Sequence, residues 1–407
     1  MSSARDSIFR SYDIRGSYPG DFDTQFAQRL GARVTQWLPT GPIIIGRDAR
    51  ATSDELAYAV VDGALYTGAQ IIDVGVVSTP QFYWALRSRG ATGGIMITAS
   101  HNPAQDNGFK VIASRGGVLE VIGGDVLRQI VDVHEHGAAT KGTIEFASVL
   151  EGYTAAVAYA ASWQGGRELV TSCDGPRAVQ AVLERLGPIA TSDTLAVRFD
   201  ADGDRVSFYE AGQQIPSDFI FLLLAEYYGY SPLVFDLRFS KTVRQRLDAR
   251  RVPYEVSAVG RVQLTRSMHR LGAQFGGETS GHFYWKEFGG MECPELTMLR
   301  VLEIMRSSKR SLTSLTAPYR LYAKSEELTV PLADRKHADS LMRVLQIKYE
   351  DANITHVDGV TIEYEEWWCT VRPSNTEPLL RIVVEAIDKK ILDQAIEEVM
   401  KILHQGR

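Results

Sequence analysis

The residues of this chain best suited to chemistry fall in four short segments. In the first, Thr98-Ala-Ser-His-Asn-Pro103 is followed by Asn107-Gly-Phe-Lys110, so the Ser100 hydroxyl lies in a tight polar turn ten residues before a lysine. The apolar run Gly94-Ile-Met-Ile97 just ahead reads as a buried strand. That puts Ser100 at a strand's carboxyl end, where open α/β sheets place their ligands. In the second segment, Asp200, Asp202 and Asp204 alternate ahead of Arg205, and on an extended or looping backbone the three carboxylates converge on one hard divalent cation. A calcium EF-hand fits poorly, because its sixth position is Arg205 and its twelfth Ala211 where glycine and glutamate are needed. Mg²⁺ is the expected ion. In the third, Gly276-Gly-Glu-Thr-Ser-Gly-His282 offers a carboxylate, hydroxyls and an imidazole on backbone that can approach a polar ligand, which suits sugar hydroxyls. In the fourth, Arg372-Pro-Ser-Asn-Thr-Glu-Pro378 joins a guanidinium fork to small hydrogen-bonding side chains, which suits phosphate. Each segment also has a plainer reading as an ordinary polar turn or capped loop.

In this order, and with Phe9-Arg-Ser-Tyr-Asp-Ile-Arg-Gly16 near the start, the segments resemble the α-D-phosphohexomutase superfamily, from residue 8 to about residue 385. The resemblance implies a phosphoryl group carried on Ser100 and moved between C1 and C6 of a hexose phosphate through a hexose 1,6-bisphosphate, which also serves as activator. It implies Mg²⁺ on Asp200, Asp202 and Asp204, with the Ser100 phosphoryl as a further ligand. Lys110 handles the proton, Arg15 and Arg205 add positive charge, and His101 belongs to the same centre. Glu278 and Ser280 bind the sugar's O3 and O4 with His282 nearby, while Arg372, Ser374, Asn375 and Thr376, together with Arg381, hold the phosphate that is not reacting. A pocket walled by four domains, the last of them mobile, suits an intermediate that must turn end for end.

Two positions depart from the family pattern. Arg238 stands where a lysine is usual after the third domain's strand, and Arg261 where a histidine is usual; both are uncertain substrate contacts. Arginine keeps the charge and cannot readily shed a proton. Thr279 replaces the methionine of the phosphomannomutase/phosphoglucomutase loop. Mannose or glucose is the expected hexose; a phosphoglucosamine mutase, or a catalytically weakened homologue that binds sugar phosphates, are the alternatives.

The elements that must position these groups follow from periodicity. At 407 residues and 44% hydrophobic content, the chain is expected to form two to four domains with packed cores. We expect three tandem mixed α/β domains, the second shortened, and a C-terminal α+β domain around a central cleft. The boundaries are 1–146, 147–214, 215–325 and 326–407, with a mostly parallel sheet in the first. Ser53 or Asp54 is expected to cap the helix running to Tyr66. The second domain is expected to hold a strand at Leu169–Ser172, a helix at Arg177–Leu186 and two strands flanking the aspartate loop, with roughly thirty residues fewer than the family pattern.

A net charge of −6 without a basic block gives no footprint for nucleic acid, and no stretch is long and apolar enough for a membrane span. The first residues lack a signal peptide's apolar core, so a cytoplasmic location is expected. Three scattered cysteines indicate neither disulfides nor a zinc ribbon, and His134 and His136 fall on different faces of a helix, which disfavours a metal there. No dinucleotide or Walker A fingerprint occurs. Monomer and homodimer are both compatible with the surface charge.

Overall fold

The computed structural model describes residues 8–132, 140–163, 172–187, 195–332, 335–374 and 377–405. Contacts divide the chain into two compact units, Met1–Gln214 with Gly281–Lys309, and Ile215–Ser280 with Arg310–Arg407.

The first unit begins with β1 (Ile14–Ser17), α1 (Thr24–Trp37), β2 (Pro42–Arg47), α2 (Ser53–Tyr66), β3 (Gln70–Val76), α3 (Thr79–Ser88) and β4 (Gly93–Ile97). It continues with β5 (Asp106–Arg115), β6 (Val118–Val121), α4 (Gly124–Asp132), β7 (Thr143–Phe146) and α5 (Leu150–Ala160). The strands order as β1-β5-β4-β2-β3-β7, with β6 on β5. The parallel half expected from the sequence is β4, β2, β3 and β7, whereas β5 runs antiparallel to both β4 and β1. All five residues of β4 are buried, as a continuous apolar strand covered on both faces must be. Helices α1 and α2 meet through Gly31 and Gly63: an added Cβ would lie 2.1 Å from the Val60 carbonyl oxygen and 1.9 Å from that of Gln28. Backbone therefore packs on backbone there, and any side chain would separate the helices.

The expected cap of α2 is a correction. Thr52 takes the N-cap position without a side-chain bond to the helix end, its hydroxyl accepting from Asn107 Nδ2 at 2.8 Å, and Ser53 is the first helical residue. The Ser53 hydroxyl instead donates to Asp48 Oδ1 at 2.6 Å, because that buried carboxylate organises the loop before the helix.

A second, smaller sheet follows from β8 (Ser172–Asp174), α6 (Arg177–Leu186), β9 (Leu195–Phe199), β10 (Val206–Glu210) and β11 (Gln213–Ile215), in the order β11-β10-β9-β8. Strands β9 and β10 pair antiparallel from Val206 opposite Phe199, so the aspartate loop is the turn of a hairpin. Helix α6 buries Val179, Val182, Leu183 and Leu186, and it packs with α5. The described strand covers Ser172–Asp174; residues 169–171, on which the rest of the expected strand falls, lie outside the described residues, as do His134 and His136.

The second unit contains a parallel core in which Leu233–Asp236 pairs with both Tyr254–Ser257 and Phe275–Gly277. Helices Ser217–Tyr228, Lys241–Ala249 and Arg261–Leu271 accompany it, and Phe221 stacks on Phe275 with ring centroids 4.8 Å apart. Its C-terminal part is an antiparallel sheet with helices Arg335–Lys348 and Lys389–Gln405, the α+β pattern expected. Among the described residues no helix is long and apolar enough to cross a membrane. All three cysteines are free thiols.

In the first unit, the helix Pro294–Ser308 carries a fully buried carboxyl, Glu295, which accepts a bond from the Tyr153 hydroxyl at 2.7 Å; Cys293 Sγ lies 3.4 Å from the same hydroxyl. Burial raises the Glu295 carboxyl from 4.5 to about 7, against the bonds from Tyr153 and the backbone. Since the native state then holds the proton more tightly than the unfolded chain, stability falls as pH rises from about 4.5 through about 7. Glu295→Gln should flatten the slope of unfolding free energy across that window by up to one proton's worth, measured by urea titration at a series of pH values.

Candidate active site

Asp202 is where the two sheets of the first unit meet. Its carboxylate is buried; Oδ1 accepts from Ser100 Oγ at 3.0 Å, and Oδ2 accepts from Lys110 Nζ at 2.5 Å and from Thr79 Oγ1 at 3.0 Å. Lys110 also donates to Asp204 Oδ2 at 3.0 Å. The nucleophile and lysine predicted from the sequence are thus joined to the predicted metal loop by direct hydrogen bonds. The β5 strand makes this possible: it returns antiparallel beside β4, so Lys110 stands opposite Met96, close to the carboxyl end from which Ser100 departs. Ser100 is 1% exposed and holds the left-handed backbone conformation, φ 53°, which an L residue adopts only under constraint.

The constraint comes from residues that the motif reading missed. Arg50 donates to the carbonyl oxygens of Ser100 at 2.6 Å, Asn102 at 2.8 Å, Pro103 at 2.7 Å and Asp106 at 3.0 Å. Asp48 holds that guanidinium from behind at 3.1 Å, and the Ser100 amide donates to Thr98 Oγ1 at 2.9 Å. One arginine therefore satisfies four carbonyls of the nucleophile turn. Thr79 is the second omission: its amide bonds the Asp202 carbonyl at 2.9 Å, so the N-terminus of α3, closed by the Ser78/Gln81 capping box, abuts the aspartate loop. The Ser78-to-Gln81 spacing is a capping-box signal in the sequence; its partner 123 residues away is not.

The aspartates fit a divalent cation. Asp200, Asp202 and Asp204 each offer an oxygen, and these atoms lie within 4.8 Å of one another. Burial, then the charges of Asp204 and Asp202, hold the Asp200 carboxyl well above the usual carboxylate range, against Arg205 and His282. Its Oδ1 accepts the amides of Asp204 and Arg205 at 3.1 Å each, while Oδ2 accepts no hydrogen bond and lies 3.6 Å from Arg205 Nε. Three mutually repelling carboxylates with an oxygen open to a ligand are what a hard cation stabilises.

Cations and imidazoles complete this side. Arg15, on β1, bonds Asp13 at 2.8 Å and Asn102 Oδ1 at 3.2 Å, which ties it to the nucleophile turn. His101 Nδ1 lies 3.3 Å from Ser100 Oγ; burial, then Arg205 and Arg15, push its imidazole down to about 4, so it is neutral at pH 7. His282 is placed with the metal loop, 3.2 Å from Arg205 Nε and 3.3 Å from Asp204 Oδ1.

The second unit gathers the other predicted groups. Glu278 is buried and accepts the Gly260 amide at 2.9 Å, at the start of the helix that opens with Arg261, and Ser280 is exposed. Arg238 grips Asp236 through both oxygens, at 3.2 and 2.7 Å, and approaches Glu327 at 3.5 Å. Arg372 donates to Glu327 at 3.2 Å, and Arg381 bonds Glu327, Glu377 and, at 3.3 Å, Ser374 Oγ. Asn375 and Thr376 lie outside the described residues.

A constrained serine joined to a lysine and to cation-binding carboxylates on α/β sheets is the apparatus of a phosphoryl-transfer enzyme. Comparison with known sequences specifies which: phosphoglucomutase/phosphomannomutase alpha/beta/alpha domain I matches residues 6–136, alpha/beta/alpha domain III matches 216–322, and the C-terminal domain matches 327–402. The chain belongs to the α-D-phosphohexomutase superfamily. It is 27% identical to a phosphomannomutase of Methanocaldococcus jannaschii over 443 aligned positions, covering 97% of each chain. Since 443 positions exceed the 407 residues here, that relative carries residues with no counterpart in this chain. A solved phosphoglucomutase/phosphomannomutase family protein from Burkholderia thailandensis shares the fold with a TM-score of 0.83 at 22% identity over 98% of both chains. An N-acetylphosphoglucosamine mutase of Aspergillus fumigatus, solved in complex with GlcNAc-6P and magnesium, gives 0.65 at 13% identity over 99% of this chain and 97% of its own.

Arg50→Lys keeps the charge and loses the fork that spans four carbonyls. Hydrogen exchange of the amides between residues 99 and 107 should accelerate by at least about tenfold while far-ultraviolet dichroism stays unchanged.

Proposed function

We propose that this protein is a Mg²⁺-dependent phosphohexomutase that interconverts hexose 1-phosphate and hexose 6-phosphate, of mannose or glucose, through a phosphoserine at Ser100 and a hexose 1,6-bisphosphate. The observation that carries the reading is the convergence of the Ser100 hydroxyl and the Lys110 ammonium on one carboxylate, Asp202, inside the aspartate triad. Family membership and the names of the relatives support it.

In the forward step a hydroxyl of the bound hexose monophosphate attacks the phosphorus of phospho-Ser100. The bond between phosphorus and Ser100 Oγ breaks, and a hexose 1,6-bisphosphate forms. Lys110 is the group placed to move the proton: as the neutral amine it takes the proton of the attacking hydroxyl, and as the ammonium so formed it gives one to the departing serine oxygen. After the sugar turns, the same events in reverse return a phosphoryl group to Ser100 and release the isomeric monophosphate. Charge spreads over the transferred phosphoryl's oxygens on the way, so positioned positive charge lowers the barrier. Mg²⁺ on Asp200, Asp202 and Asp204, when bound, supplies part of it, as magnesium accompanies the sugar phosphate in the Aspergillus fumigatus enzyme. Arg15 and Arg205 supply more, and His101, neutral at pH 7, orients the Ser100 hydroxyl. Glu278, Ser280 and His282 are the proposed sugar ligands. Arg372, Ser374, Asn375, Thr376 and Arg381 are the proposed site of the distal phosphate, with Arg238 and Arg261 beside the substrate.

We assign these roles to four domains, 1–146, 147–214, 215–325 and 326–407; four separate sheets support the number, although the strand Ala323–Lys324 of the last sheet lies ahead of residue 326. The same reading places the protein in the cytoplasm as a monomer or homodimer, with a hexose 1,6-bisphosphate as activator. A second reading, a weakened homologue that binds sugar phosphates, is favoured by one observation: Arg238 is fixed on both oxygens of Asp236 and cannot donate a proton as a lysine can.

Freshly purified protein should carry one phosphoryl group by intact mass, mapped to Ser100, lost on incubation with mannose or glucose 6-phosphate and absent from Ser100→Ala. A chain that never accepts phosphate from a hexose 1,6-bisphosphate is a binder only. Chelation of divalent ions, or Asp204→Asn, should lower turnover in a coupled assay by about a hundredfold or more.

A further inference from the structure

The proposed phosphate residues of the second unit already hold an anion of their own. Arg372 and Arg381 stand directly opposite each other on the antiparallel strands Trp367–Pro373 and Leu379–Ala386. Like charges so placed repel, and a counter-ion is needed to hold them together. Glu327 supplies it: Oε2 accepts from Arg372 Nη2 at 3.2 Å and lies 3.5 Å from Arg238 Nη1, while Oε1 accepts from Arg381 Nη1. Two oxygens shared among three guanidinium groups reproduce the contacts by which arginines take a phosphate.

The two carboxylates of this cluster are not equivalent. Asp236 is fully buried, bonds Arg238 through both oxygens and accepts the Thr279 amide at 3.0 Å, so it is a permanent partner. The Glu327 side chain is 24% exposed and leads into the strand Leu328–Pro331, so a change of its own torsions moves the carboxylate toward water without disturbing the sheet.

We infer that Glu327 is an exchangeable counter-ion of the phosphate clamp: it keeps Arg238, Arg372 and Arg381 assembled between binding events, gives way to an incoming phosphate, and speeds that phosphate's departure by returning. The inference rests on the reading of the Arg372 loop as the distal phosphate site. That reading supplies the reason for such a device, since an intermediate that turns end for end must leave the clamp within every catalytic cycle. Three arginines without a resident carboxylate would hold a dianion too long.

The test is calorimetric titration of inorganic phosphate into the full-length protein and its variants. Glu327→Gln keeps the shape and removes the charge, so phosphate should bind about tenfold more tightly. Its melting temperature should be lower in phosphate-free buffer and rise more steeply with phosphate than that of the parent. Glu327→Asp, which retracts the same charge by one methylene, should tighten phosphate by a smaller factor, about threefold, and serves if the glutamine variant does not fold. Unchanged or weaker phosphate binding in the folded variants, with binding still lost in Arg372→Ala, makes Glu327 a fixed strut and overturns the inference while the clamp stands. Phosphate binding indifferent to Arg372→Ala overturns the clamp itself, and the inference with it.

Discussion

The first unit depends on one buried carboxylate accepting from three directions. Asp202 receives the hydroxyl of Ser100 from the turn after β4, the ammonium of Lys110 from β5 and the hydroxyl of Thr79 from the start of α3. A carboxylate out of water is tolerated only when its oxygens are met by donors, and here two of the three donors are the groups to which we assign the chemistry. The satisfaction of Asp202 and the assembly of nucleophile and lysine are therefore one event. Neither sheet can complete this centre alone, because the carboxylate comes from the β9–β10 turn and its donors from α3 and the strands β4 and β5.

Elsewhere the same electrostatic problem is met with the opposite sign. In the aspartate loop, burial and then the charges of Asp204 and Asp202 hold the Asp200 carboxyl well above the ordinary range, and the Arg372 and Arg381 strands crowd positive charge until a carboxylate must stand between them. Arg50 shows a third solution, in which a cation is spread over backbone carbonyls and holds the turn that bears the nucleophile. Its charge is used for architecture, which is why Asp48 is bound beside it.

Much of this was legible in the amino-acid order. Helix α6 begins and ends where it was expected, because its apolar face is unbroken, and two strands flank the aspartate loop as expected. The serine turn, lysine and aspartate triad were legible because chemistry needs those residue types at close spacing. What escaped was long-range polar accounting. Arg50 and Thr79 look like ordinary loop and cap residues until the fold brings carbonyls some fifty residues away, and an aspartate 123 residues away, within bonding distance. Ser53 was misread as a cap for the same reason: a hydroxyl's partner is decided by which acceptor is buried nearby, and Asp48 outcompeted the helix end. His282 illustrates the limit from the other side, since a loop read as one sugar-binding motif divides between the two units at Gly281.

The contact of α1 and α2 through Gly31 and Gly63 bears on how this chain can drift. With carbonyl oxygens about 2 Å from where a methyl would sit, no single replacement at either position is accommodated, although neither residue has any part in phosphate chemistry. Intolerance to substitution therefore marks two unrelated things in this protein, a reaction and a helix-to-helix seam, and only an assay that separates abundance from turnover tells them apart.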